Sequence, residues 1–149
     1  VRQAVFSALF DKTEYAHALD IFAGTGSFGI EALSRGAEHV TFIDTRTELI
    51  KKNLEGIDRK HWKVLKGDAM KETERLSDCY DIIFLDPPYG LYPMEDMLKH
   101  LSEKQLLAND GILIYEESVR APFPASQEYF RLLKEKRYGE TVIYYMEAI

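Results

Sequence analysis

The spacing of apolar positions changes several times along the chain, and each change marks a boundary between elements. Val1, Val5, Ala8 and Leu9, with Ala4 and Phe6 adjoining, form one apolar stripe at helical spacing. This predicts a helix to about Phe10, laid as a lid on a sheet edge. Asp11 to Tyr15 is a polar connector, and His17 to Ala23 then predicts a short strand running into the glycine-rich stretch Ala23 to Gly29. A helix follows, with Ile30 and Leu33 on its apolar side and Gly36 as its stop. Val40 to Ile43 predicts a second strand ending at Asp44, and Glu48 to about Gly56 a helix. Trp62 to Lys66 predicts a third strand closed by Gly67-Asp68-Ala69, with a short helix from Met70 to Leu76.

Tyr80 to Leu85 contains a continuous apolar run, the pattern of a parallel strand buried on both faces. Met94, Met97, Leu98, Leu101, Leu106 and Leu107 mark a helix and its continuation. Asp110-Gly111 predicts a turn into a fifth strand, Ile112 to Tyr115. Gly139-Glu140, between two strand-like runs in the tail, predicts an antiparallel hairpin in which alternation buries one of Tyr144 and Tyr145 and exposes the other. Helix, five strands alternating with helices, then a hairpin: the order predicts an α/β layered domain with a mostly parallel sheet.

With 149 residues and 46% hydrophobic content, the chain is expected to form a single domain over 1–149 with a full core. No apolar segment approaches a membrane span and no secretory leader stands at the start, so no membrane partner is expected and the cytoplasm is the default location. Cys79 is the only cysteine, which excludes an internal disulfide framework, and it reads as a plain buried residue. His17, His39, His61 and His100 lack paired spacing, so no metal site is expected. A net charge of −6 argues against a broad basic surface for nucleic acid on this segment. A first residue Val1 already in a helical pattern reads as a piece of something longer at its amino end.

The chemistry is concentrated in DIIFLDPPYG, Asp81 to Gly90. A buried parallel strand delivers a stiff polar loop to its carboxyl end, where open α/β sheets place ligands. The loop offers two acceptors, the Asp86 carboxylate and the Pro87 carbonyl, beside the flat ring of Tyr89. The exocyclic amine of a nucleobase is a poor nucleophile because its lone pair is delocalised. Two acceptors on its N–H bonds favour the pyramidal geometry, and a stacked ring holds it in line with a methyl donor.

Gly24, Gly26 and Gly29 form G-x-G-x-x-G, with Asp44 twenty residues past the first glycine. Taken literally, this is the fingerprint of a nicotinamide cofactor. Asp20 before the glycines and Asp68 after Gly67 pull the other way. Three carboxylates around one pocket disfavour a polyanion and suit a cationic sulfonium. The residues alone leave both readings open.

DIFAGTGSFGIEALSRGA, VTFID, KGDA and DIIFLDPPY together resemble class I S-adenosylmethionine-dependent methyltransferases, and VRQAVFSALF with EALSRGA is similar to the bacterial small-subunit rRNA guanine-N2 methyltransferase family. The resemblance implies a Rossmann-like, mostly parallel seven-stranded sheet with a C-terminal antiparallel hairpin and helices on both faces. It implies S-adenosyl-L-methionine as cofactor, with Asp20, Gly24 and Gly26 at the methionine end, Asp44 on the ribose, and Asp68 and Ala69 on the adenine. Phe22, first a core aromatic like Trp62, is counted with these cofactor residues. Asp86, Pro87 and Tyr89 hold the target base, and Asp86 either takes the departing proton or only orients the amine while solvent takes it.

The implied partner is ribosomal RNA, within an assembling small subunit, met by a monomer without a metal. Arg2, Arg35, Lys60 and Lys63 are candidate phosphate contacts, Glu116 and Glu117 can border the base pocket, and Tyr92 and Pro93 can form a rim over the substrate. Family members carry a basic β-hairpin upstream of the first helix, absent from this chain. The rival readings are methylation of adenine N6 and a nicotinamide-binding or silent nucleotide-binding module.

Overall fold

The computed structural model describes residues 1–88, 92–121 and 128–149. Seven strands form one sheet: β1 (His17–Ile21), β2 (His39–Asp44), β3 (Trp62–Lys66), β4 (Tyr80–Leu85), β5 (Leu107–Ser118), β6 (Phe130–Tyr138) and β7 (Thr141–Ala148). Their spatial order is β3-β2-β1-β4-β5-β7-β6, parallel from β3 through β5 and antiparallel in the closing hairpin. The helices are α1 (Arg2–Leu9), α2 (Ser27–Ser34), α3 (Glu48–Asn53), α4 (Ala69–Glu74) and α5 (Met94–Glu103). The predicted strands β3 and β4 have the expected bounds, and the hairpin turns where glycine permits it, with Gly139 at φ 61°.

Alternation along the strands divides the core in two. Leu19, Ile21, Ile83, Leu85, Leu113 and Tyr115 pack on one face with α4 and α5. Ala18, Ile82, Phe84, Ile112 and Ile114 pack on the other with Val5, Phe6 and Leu9 of α1 and Ala32 of α2. Burying one such large side chain stabilises the fold by roughly 1.5–3 kcal/mol.

The structure corrects several expectations. Helix α1 lies over the middle of the sheet rather than its edge: the Phe6 ring sits 5.7 Å from Phe84 of the central strand and 6.4 Å from Phe28 of α2. Leu107 belongs to β5, not to the preceding helix, and Asp110-Gly111 is a bulge inside that strand rather than a turn before it. Tyr80 pairs with Leu107 and Ile82 with Ile112, so three extra residues loop out before pairing resumes. Tyr144 and Tyr145 are both buried, one in each core cluster, because helices and loops cover both faces of β7. Cys79 is exposed, since it precedes β4 rather than entering it.

Candidate active site

Parallel register sets the carboxyl ends of four strands side by side: Ile21 pairs with Ile43 and with Leu85, and Ile43 with Leu65. A cavity of about 430 Å³ opens there. Strand β1 contributes Phe22 and Gly24, β2 contributes Asp44 and Thr45, β3 contributes Gly67, Asp68 and Ala69, and β4 contributes Asp86, Pro87 and Pro88. Tyr92 closes the wall. The structure thus unites seven of the ten predicted site residues. Asp20 and Gly26 are not among the lining residues, and Tyr89 lies outside the described residues. A second cleft of about 430 Å³, near Cys79 and Asn109 at the amino end of β4, contains none of them.

The glycine loop is built from strained backbone and tight packing. Gly24 adopts φ 60°, and its N–H donates to Asp44 Oδ2 at 2.8 Å while the Arg46 N–H donates to Oδ1 at 3.0 Å. Asp44 therefore ties the loop to β2 at the cavity wall. Gly29 has another function: a Cβ there would lie 2.8 Å from Val40 Cγ1 and deeper still in the Phe42 ring, so only glycine lets α2 approach the sheet. Phe22 is held at φ 62°, where a side chain costs on the order of 1–3 kcal/mol. Its ring meets Tyr92 edge-on, centroids 4.8 Å apart.

Tyr92 is more than a rim. Its hydroxyl accepts from the Met70 N–H at 3.2 Å and donates to Asp68 Oδ1 at 3.4 Å. Asp68 Oδ2 in turn accepts from the Met70 and Lys71 N–H groups and caps α4. Thr45 and Gly67 also line the cavity and were not singled out from the sequence, although each adjoins an acid that was.

The acids are spaced to interact. Asp20, 2% exposed, lies beneath the loop with the Gly29 N–H on its Oδ2 at 3.0 Å. Burial pushes its pKa up to about 8, against the opposing hydrogen bond, and the charges of Asp86 and Asp44 push the same way. Asp86 is open to solvent as a residue, yet its carboxyl is partly desolvated, and Glu116 is its neighbour on β5, since Leu85 pairs with Tyr115. Desolvation first, then the Glu116 charge, raises it to about 7, and Glu116 is raised too, chiefly by desolvation.

None of Arg2, Arg35, Lys60 and Lys63 lines the cavity. Arg2 and Arg35 both pair with Glu31, and Arg35 also covers the Phe6 ring. Lys60 precedes β3, at the end of the sheet opposite the cavity. Among the described residues no helix is long and apolar enough to cross a membrane.

A cavity within the roughly 300–1,000 Å³ range of small-molecule sites, acidic at three strand ends and aromatic on one wall, fits a cationic ligand bearing ribose and adenine. Fold and cavity together define a class I, S-adenosylmethionine-dependent type of methyltransferase. A family model described as "Conserved hypothetical protein 95" matches residues 1–147, and the chain belongs to that family. It is 29% identical over 153 residues to the ribosomal RNA small subunit methyltransferase D of Escherichia coli K12, covering 99% of this chain and 77% of that protein. The Haemophilus influenzae protein of the same name is 33% identical over 147 residues, covering 93% and 75%. Among solved structures, a conserved hypothetical protein of Streptococcus pyogenes superposes with a TM-score of 0.90 at 26% identity, covering all of this chain and 96% of that one.

Proposed function

We propose that the protein methylates the exocyclic N2 amine of a guanine in small-subunit ribosomal RNA, using S-adenosyl-L-methionine. The observation that carries this reading is that Asp86 and Pro87 share one cavity with Gly24, Asp44 and Asp68, so an amine clamp adjoins a cofactor-sized hollow. The relatives named for small-subunit rRNA support the substrate class. When bound, the cofactor supplies a methyl group on a positively charged sulfur. Asp44 is set to accept from the ribose hydroxyls, and Asp68 with the Ala69 backbone to meet the adenine edge. The Asp20 carboxyl anchors α2 beneath the methionine end through the Gly29 N–H.

Asp86 and the Pro87 carbonyl accept from the two N–H bonds of the amine and direct its lone pair at the methyl, while Tyr89 stacks on the base. The guanine reaches them unstacked from the RNA. The protein acts as a monomer, in the cytoplasm, on RNA within the assembling subunit. Mass spectrometry of rRNA nucleosides from a strain lacking the gene tests this: loss of N2-methylguanosine is expected, and an unchanged profile refutes it. Asp86→Ala should lower turnover at least about 100-fold while calorimetry still records binding of S-adenosylhomocysteine; full turnover removes Asp86 from its role.

A further inference from the structure

Asp68 stands just beyond β3, and its carboxylate is held at both oxygens. Oδ2 accepts from the Met70 N–H at 3.1 Å and from the Lys71 N–H at 3.3 Å, the cap of α4. Oδ1 lies 3.4 Å from the Tyr92 hydroxyl, which lies 3.2 Å from the Met70 nitrogen. The directions follow from the groups themselves. A backbone N–H only donates and a carboxylate only accepts, so the Tyr92 oxygen accepts from Met70 and gives its one proton to Asp68. A carboxylate oxygen has two acceptor sites, and Oδ1 therefore has a second one to offer. Asp68 lines the cavity, which makes a bound ligand the natural donor to it.

Tyr92 reaches this wall from the other side of the site. The strand order β3-β2-β1-β4 sets the ends of β3 and β4 three strand spacings apart, about 14 Å. Tyr92 follows β4 in the chain, yet its hydroxyl closes on the acid that follows β3. Its ring is steadied edge-on by Phe22, centroids 4.8 Å apart, and both rings line the cavity. The polar end of Tyr92 is thus directed at Asp68 and Met70, whereas a rim over the substrate base belongs beside Asp86 and Pro87.

We propose that Tyr92 is a positioning residue for the adenine of the cofactor: its hydroxyl fixes the plane of the Asp68 carboxylate so that Oδ1 meets the adenine amine, and the site thereby selects that amine over an oxo group at the same ring position. This rests on the reading that sets Asp68 at the adenine edge. Removing the hydroxyl leaves the carboxylate held only at Oδ2, by the two helix N–H groups, about which Oδ1 can swing. With the hydroxyl in place, an oxo group brought to Oδ1 sets two acceptors against each other with no proton between them. A site built to receive an N–H rejects an analogue lacking it more strongly than an apolar pocket rejects a missing methylene.

Calorimetry with two ligands tests this: S-adenosylhomocysteine, and its deaminated form in which an oxo group replaces the adenine amine. The wild type should bind the first more tightly by about 10-fold or more. Equal affinities would overturn the proposal by removing Asp68 from the amine, and would leave the guanine methylation reading standing. Tyr92→Phe keeps the ring against Phe22 and deletes the hydroxyl. It should weaken S-adenosylhomocysteine by about 3- to 10-fold, the worth of one hydrogen bond, and the deaminated ligand by less than about 2-fold. An equal loss for both ligands, or none for either, would overturn the proposal. In an Asp68→Ala background the hydroxyl has no carboxylate to orient, so Tyr92→Phe should narrow the preference no further; additive losses would refute action through Asp68. Methyl transfer to rRNA from a strain lacking the gene supplies a second readout. Tyr92→Phe should raise the KM for S-adenosylmethionine and leave that for RNA in place, and the reverse pattern would make Tyr92 a substrate rim and overturn the proposal. Absence of transfer by the wild type would sink the proposed methylation, while the two-ligand comparison would still decide the role of Tyr92.

Discussion

Asp20 pays for its burial with the loss of its charge. Its folded pKa, about 8, lies far above the ordinary 3.8, so the native state keeps a proton that the unfolded chain gives up. Below about pH 4 both states hold the proton and the carboxyl costs nothing. As pH rises from there the unfolded state binds fewer protons than the native state, and stability falls until about pH 8, where Asp20 ionises in both. Asp20→Asn keeps an acceptor for the Gly29 N–H and removes the titration. Its stability relative to wild type should therefore grow by on the order of 2–4 kcal/mol between pH 5 and pH 8.5. Urea melts of the apoprotein at the two pH values measure this, and a constant difference would mean that Asp20 is not titrating where its burial places it. Its acidity was visible in the sequence. Its position under the loop was not, because only the packing of Gly29 on Phe42 and Val40 brings α2 over β1.

The elements were legible to the extent that their period was local. Strand β4 and the ends of β2 and β3 could be read because parallel strands are apolar throughout and stop at an acid or a glycine. The acids Asp44, Asp68 and Asp86 followed from that pattern. Strand β5 was misread because the polar Asn109-Asp110-Gly111 loops out while the ladder continues on both sides, and a bulge and a turn share the same residues. The neighbourhood of Glu116 and Asp86 is a matter of register between strands 30 residues apart, which no local pattern contains. The place of α1 was misjudged for the same reason, and it now has a consequence. Phe6 bridges Phe28 and Phe84, and Phe84 is two residues before Asp86. Phe6→Ala should destabilise the fold by about 3–5 kcal/mol by opening a cavity there. Denaturant melts check this, and a cost under about 1 kcal/mol would show that α1 is a detachable lid after all.

At the scale of the molecule, both core clusters draw on the same seven strands, and the cavity takes its walls from the ends of four of them. The four strands that wall the cavity, β1 to β4, also carry residues of both core clusters, so ligand binding and global unfolding should be coupled in one transition. S-adenosylhomocysteine at 100 times its dissociation constant should then stabilise the whole chain by about 2.7 kcal/mol. For a domain of this size that corresponds to a rise in Tm of roughly 5–10 °C. Calorimetry should record a single peak that moves intact, while NAD at the same concentration leaves it in place, since its pyrophosphate meets Asp44, Asp68 and Asp86. Two peaks of which only one moves would mean that the cavity belongs to a separately melting part. A shift by NAD alone would return the glycine loop to its literal reading as a dinucleotide site.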